Sequence, residues 1–140
     1  MKTIIFTAVI SFFLMAATHA QTLHKKEARD LLEKAWRCLV TSDSAAFARF
    51  RETDNPAEQN LAAEFNFIRQ FLDTAIARNL AIHDVEIEKH NLNNTDAEYW
   101  IKTWFQYDEH YYKGFGFYVA YKTNRWVVRG SPSTSSKTKN

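Results

Sequence analysis

Hydrophobic and polar positions follow two different periods along this chain. From position 28 the apolar residues recur at helical spacing, with Ala28, Leu31, Leu32, Ala35 and Leu39 on one stripe and Trp36 and Cys38 on its flanks. Asp30, Glu33, Lys34 and Arg37 fall on the opposite face, where Asp30–Lys34 and Glu33–Arg37 are spaced for i,i+4 ion pairs. The pattern predicts an amphipathic helix laid on a core. Ser42 and Asp43 offer an N-cap for a short second helix carrying Ala46, Phe47 and Phe50. Asn55, Pro56 and Glu58 form the start signal of a third helix. Its stripe is Leu61, Phe65, Ile68, Leu72, Ala75 and Ile76, widened by Phe67 and Phe71, and Asn79 is its stop.

After Ala81 the period becomes two. Val85 and Ile87 alternate with Glu86 and Glu88, the signature of a half-buried strand. A polar turn at 91–96 leads to Ala97, Tyr99, Ile101, Thr103, Phe105 and Tyr107, alternating with Glu98, Trp100, Lys102, Trp104 and Gln106. The stretch Asp108 to Gly114 reads as a loop, Phe115, Phe117, Val119 and Tyr121 resume the alternation, and Thr123-Asn124 turns the chain into a last strand from Arg125 to Arg129. Strands joined by short polar turns predict an antiparallel meander. Helices first and strands afterwards specify an α+β domain over 21–130, with the N-terminal helices packed in the concave face of a curved antiparallel sheet.

The two ends of the chain read differently. Lys2, an apolar run from Ile4 to Ala17, and Thr18-His19-Ala20 are the parts of a cleaved signal peptide over 1–20. The apolar run is shorter than the ~20 residues a membrane helix needs, so an anchor is disfavoured. Gln21 stands where a lipid-bearing cysteine would have to be. The expected mature chain begins at Gln21, carries no membrane span, and works in the periplasm or outside the cell. Positions 131–140 are Ser/Thr/Lys-rich without an apolar residue, and are expected to be a disordered tail.

Composition narrows the function classes. The formal net charge is +2, which leaves no electrostatic footprint for nucleic acid. A single cysteine excludes an internal disulfide framework and a Cys-rich zinc site. No cofactor is called for. His83 and His90 flank Glu86 and Glu88, but that spacing does not specify a metal site.

At both ends of the mature region the sequence resembles the nuclear transport factor 2-like superfamily, which includes ketosteroid isomerases and SnoaL-like cyclases. The resemblance lies in Ala35-Trp36-Arg37-Cys38-Leu39-Val40 followed by Ser42-Asp43 and Phe47, and in the closing run from Tyr118 to Gly130 with its Trp126 strand. The chain departs from many members in running nearly unbroken helical pattern to Arg78 where they insert a strand. A cystatin is disfavoured because its Gln-x-Val-x-Gly loop is absent. The resemblance implies a cone, a curved sheet around a long helix with an apolar pocket at one end.

Two aromatic groups are the candidate sites. All 6 Tyr of the chain lie between positions 99 and 121. Trp36, Tyr99, Thr103, Phe117 and Tyr121 are the expected ligand-binding wall of the pocket, because buried Tyr hydroxyls need partners and line cavities that are part apolar and part wet. Trp100, Lys102, Trp104 and Tyr118 share the other face of the sheet. Tryptophans among charges there suggest a partner interface, with a homodimer as the resemblance implies, or else cover by neighbouring long side chains or the tail. Catalysis would need a carboxylate or histidine inside the cone, with Asp30, Asp84 and His83 the ones to watch. Cys38, on a helix flank, reads as an inert thiol. The reading is an exported, non-enzymatic binding module that holds an apolar small ligand or docks a protein, inhibition and immunity included. An isomerase, dehydratase or cyclase acting on a hydrophobic substrate is the alternative, and an envelope accessory protein is a third.

Overall fold

The computed structural model describes residues 21–50, 61–90 and 98–140. The leader, the Asn55-Pro56-Glu58 start signal and the 91–96 turn lie outside the described residues. Among them, helices α1 (Lys25–Val40), α2 (Ser44–Ala48), α3 (Leu61–Phe71) and α4 (Asp73–Ala77) precede strands β1 (Asp84–His90), β2 (Glu98–Gln106), β3 (Tyr111–Lys122) and β4 (Arg125–Thr138). The strands form one antiparallel sheet in the order β1-β2-β3-β4. This is the α+β meander with N-terminal helices that the alternation and the resemblance implied.

Local chemistry fixes the element ends. Glu27 Oε1 accepts the backbone N–H of His24 at 3.3 Å, satisfying a donor that precedes the first turn of α1. At the other end Ser42 takes a positive φ of 59° and Asp43 N donates to Cys38 O at 2.9 Å, a left-handed stop. Asp43 Oδ1 then accepts Ala46 N at 3.0 Å and so caps α2. Asn79, with φ 50°, ends α4 in the same left-handed way, with Leu80 N on Ala75 O at 3.0 Å. Thr123 and Asn124 both have positive φ (52° and 63°), the two-residue turn whose twist matches a tight hairpin.

The strand alternation sends Tyr99, Ile101, Thr103 and Phe105 of β2 and Phe115, Phe117 and Val119 of β3 into the core beneath the helices. Trp36 of α1 lies on Phe105, with ring centroids 4.2 Å apart, and donates its indole N–H to Leu80 O at 3.1 Å. Burying side chains of this size is worth about 1.5–3 kcal/mol each. Gly116 lets the sheet close behind them. A Cβ there would stand 2.5 Å from Ile101 O, closer than any side-chain carbon tolerates.

Three expectations are corrected. The α1 pairs Asp30–Lys34 and Glu33–Arg37 give way to Arg29–Glu33, whose Nε–Oε1 distance is 4.0 Å. The third helix bends at Leu72, although Leu72 N still reaches Ile68 O and Ile76 N reaches Leu72 O, each at 2.9 Å. The largest change concerns the polar segment after Gly130, expected as a disordered tail. It is the second half of β4, paired from Gly116↔Ser133 to Tyr111↔Thr138. Its order comes from partners and not from apolar burial. Strand β3 begins earlier than the alternation suggested, and its backbone groups from Tyr111 to Gly116 find theirs on β4. Side chains hold the same segment. Ser131 Oγ donates to Glu64 Oε1 of α3, and Lys102 Nζ donates to Ser135 Oγ, each at 2.8 Å.

Candidate functional site

The interior of the curved sheet is filled. Of the expected pocket wall, Trp36, Tyr99, Thr103 and Phe117 are all buried, and Thr103 donates its hydroxyl to Asp84 O at 3.0 Å. Beside Phe117, between Ala35, Phe47, Phe50, Val128 and Pro132, only about 10 Å³ of enclosed space remains. Tyr121 is half-buried, with its ring 5.2 Å from that of Trp126, and Tyr99 meets the same indole at 5.8 Å. Tyr99 and Tyr121 therefore stand on one side of the sheet, around Trp126.

A concavity lined by that indole lies between helices and strand. It is a cleft of about 590 Å³ between α1, α2 and the start of β4, within the ~300–1,000 Å³ usual for small-molecule sites. One stripe of α1 supplies Leu31, Lys34, Cys38 and Thr41, at spacings of three and four that stack residues on one helix face. Helix α2 and its flanking residues supply Asp43, Ala46, Arg49 and Phe50. Arg37 of α1 and Arg125 and Trp126 of β4 complete the lining. None of the five expected wall residues lines it.

Two hydrogen bonds hold the walls together. Trp126 Nε1 donates to Glu27 Oε2 at 3.0 Å, so the carboxylate that caps α1 also holds the indole of β4. Val128 N donates to Phe50 O at 2.9 Å and fastens β4 to the end of α2. The lining is layered by polarity. Leu31, Ala46, Phe50 and Trp126 are half-buried and Cys38 is buried, whereas Lys34, Arg37, Arg49 and Arg125 stand exposed at the rim. Asp43 is the carboxylate among the lining residues, and its Oδ1 is engaged by Ala46 N. Burial pushes the Cys38 thiol up from its ordinary 9.0, Asp43 adds to that, and Arg49 opposes it. The thiol is protonated at neutral pH, which agrees with the inert cysteine expected.

The outer face of the sheet gathers the second candidate group. Trp100 and Tyr118 pack with ring centroids 4.7 Å apart, and Lys102 Nζ lies 5.8 Å from the Trp100 ring and 5.0 Å from that of Trp104. His90 closes edge-on against Tyr118 at 5.5 Å, with its Nε2 3.7 Å from Glu88 Oε1. Trp104 is covered from within the chain, by Lys137 of β4 with its Nζ 4.0 Å from the ring. Its indole N–H is buried without a hydrogen-bond partner. Trp100, Lys102 and Tyr118 are half-buried.

The candidate catalytic groups are dispersed. Asp30, His83 and Asp84 are exposed, and His83 packs its ring on Tyr112 at 5.3 Å on the outer side. Among the described residues no group of three or more His, Cys, Asp or Glu could hold a metal ion. No helix among them is long and apolar enough to cross a membrane.

The sequence reading missed Lys34, Arg37, Arg49 and Arg125 as a group. Lys34 and Arg37 read as members of solvated i,i+4 pairs, and no spacing connects them to Arg125 on a strand about ninety positions later. The one local signal was the Ala46–Phe50 repeat at i,i+4 beside Arg49.

No family model matches the chain, and no curated protein matches it. Among solved structures, one provisionally described as an NTF2-like transpeptidase from Campylobacter jejuni is similar at 19% identity, with a TM-score of 0.35 over 71% of this chain and 94% of that one.

Proposed function

We propose that the protein is an exported binding module that holds an apolar small ligand in the cleft between α1, α2 and β4. The observation that carries this reading is the apolar floor of Leu31, Ala46, Phe50 and Trp126, kept open beside a core that is itself filled. The lining supports binding over chemistry. Its carboxylate is engaged in capping α2, and its thiol is protonated, so neither is poised as a base or nucleophile. Export rests on the leader pattern at 1–20.

The test is a titration of chain 21–140 with N-phenyl-1-naphthylamine, a neutral apolar dye that brightens when it leaves water. Saturable binding of one dye per chain is expected. Ala46→Trp, which fills the cleft from a half-buried position, should abolish it while the circular dichroism spectrum is retained. Absence of saturable binding, or equal binding by Ala46→Trp, overturns the reading.

The outer-face aromatics support a second reading, a partner surface for another copy of the chain. Trp100 and Tyr118 are half-buried and pack on one another. Sedimentation of the wild type and of Trp100→Asp decides it. A dimer that Trp100→Asp dissociates supports this reading, and a monomeric wild type at high concentration removes it.

A further inference from the structure

We infer that the ligand of this cleft is an amphipathic anion, a carboxylate or similar acid headgroup on an apolar chain. The headgroup would sit at the rim of Lys34, Arg37, Arg49 and Arg125, and the chain on the floor below. This rests on the cleft being a ligand site and adds the charge of its occupant.

Charge complementarity is the argument. The rim brings four cations around one opening against a single carboxylate, Asp43. None of the four cations forms an ion pair with a carboxylate among the described residues, although Glu33 is only one residue before Lys34 and four before Arg37. Glu33 is drawn to Arg29 instead, and Glu27 is spent on His24 and Trp126. The bond resolved for a rim cation is Arg49 Nε to Ala45 O at 3.4 Å, which leaves the rest of that guanidinium free. Four cations lining one cleft attract an acid headgroup, which a guanidinium can bind through a pair of parallel N–H bonds.

The layering excludes the simpler alternatives. A small hydrophilic anion would be held by the rim alone and would leave Leu31, Phe50 and Trp126 facing water. A neutral apolar molecule would use the floor and leave the cations unanswered. An apolar cation would meet repulsion from four sides. A chain with an acid at one end satisfies both layers, and its length is set by a cleft of about 590 Å³.

The experiment displaces bound N-phenyl-1-naphthylamine with three amphiphiles of equal chain length, each kept below micelle formation. They are dodecanoate, dodecanol and dodecyltrimethylammonium. Dodecanoate is expected to displace the dye about ten-fold more tightly than dodecanol, a difference on the order of 1.4 kcal/mol. Dodecyltrimethylammonium is expected to be weakest. Adding salt should narrow the gap, because exposed charges are screened within roughly 10 Å at 0.1 M. The double variant Arg37→Gln/Arg49→Gln removes two of the four rim cations and should narrow the gap between dodecanoate and dodecanol about three-fold.

Equal displacement by dodecanol and dodecanoate overturns the anion inference and leaves the apolar cleft intact. So does a preference for dodecanoate that is undiminished in the double variant, since the preference would then arise elsewhere. Dye that binds and is displaced by none of the three also overturns it. Dye that never binds removes the cleft reading itself, and the inference with it.

Discussion

Lys137 sits in the segment that composition assigned to a tail, and removing its charge tests whether that segment is structure. Its Nζ lies 4.0 Å from the centre of the Trp104 ring and 5.6 Å from that of Tyr112, and 3.8 Å from Glu86 Oε1 across the sheet. Its side chain is 27% exposed, so the cation is partly desolvated. A cation over an indole is worth about 0.5–1 kcal/mol when exposed and about 2 when desolvated, which places the Trp104 contact near 1 kcal/mol. The Glu86 partner is 53% exposed, and screening limits such a pair to a few tenths, about 0.3 kcal/mol.

Lys137→Met keeps an apolar stem over Trp104 and loses only the charge, so its expected cost is about 1–1.5 kcal/mol. Lys137→Ala also uncovers the indole and should cost about 0.5–1 kcal/mol more through lost packing. Urea unfolding followed by tryptophan fluorescence measures both, and the linear extrapolation yields the difference in midpoint at a common slope. A disordered tail gives the opposite result. If both variants unfold within about 0.3 kcal/mol of wild type, in the range of neutral surface changes, β4 does not extend over Trp104 as described.

Two further outcomes are expected. Tyr107 Oη accepts the N–H of Ala75 in the first turn of α4 at 3.3 Å; Tyr107→Phe should leave that buried donor unpaired and cost about 1–3 kcal/mol in the same assay. Burial raises the pKa of this phenol above its ordinary 10.0 while the Ala75 N–H opposes the rise, so spectrophotometric titration should show a late tyrosine ionisation that Tyr107→Phe removes. Asp108 Oδ1 accepts the N–H groups of His110 and Tyr111, each at 2.8 Å, and these two bonds hold its carboxyl below the ordinary 3.8. A lowered folded pKa gives stability that is complete above 3.8 and is lost as the pH falls through the lower value. The protection of the Tyr111 amide, its exchange rate relative to a free amide at the same pH, should therefore fall only below pH 3.8, and Asp108→Ala should remove that acid step and lower the protection at pH above it.

Much of the architecture was legible because it depends on period and on local stops. The switch from helical to two-residue spacing near Ala81, the left-handed Asn79, and the Thr123-Asn124 hairpin all carry their signal within a few neighbouring residues. The odd positions of β2 and β3 face inward as the alternation indicates, and their aromatics pack against Trp36 and Trp126. What the residues could not reveal locally was how completely they would fill the space. A row of Tyr, Phe and Trp is equally a pocket wall or a packed core until the volume of the opposing helix is known. Trp36 supplies that volume by stacking on Phe105. The same reasoning explains the misread of 131–138. Its order depends on a vacancy beside β3, and nothing in Ser133, Ser135 or Thr138 announces that vacancy. The rim cations stayed hidden because their meeting is a property of the whole chain.

The bond from Trp126 to Glu27 spans 99 positions of sequence. While the ribosome is still making the last strand, the helices can form, but the recess they flank lacks its third side. The recess thus takes its shape only once β4 has been made, and a polypeptide stopped before Trp126 lacks that wall. Timing is built into connectivity here: the indole that closes the door frame is made 99 positions after the carboxylate that holds it.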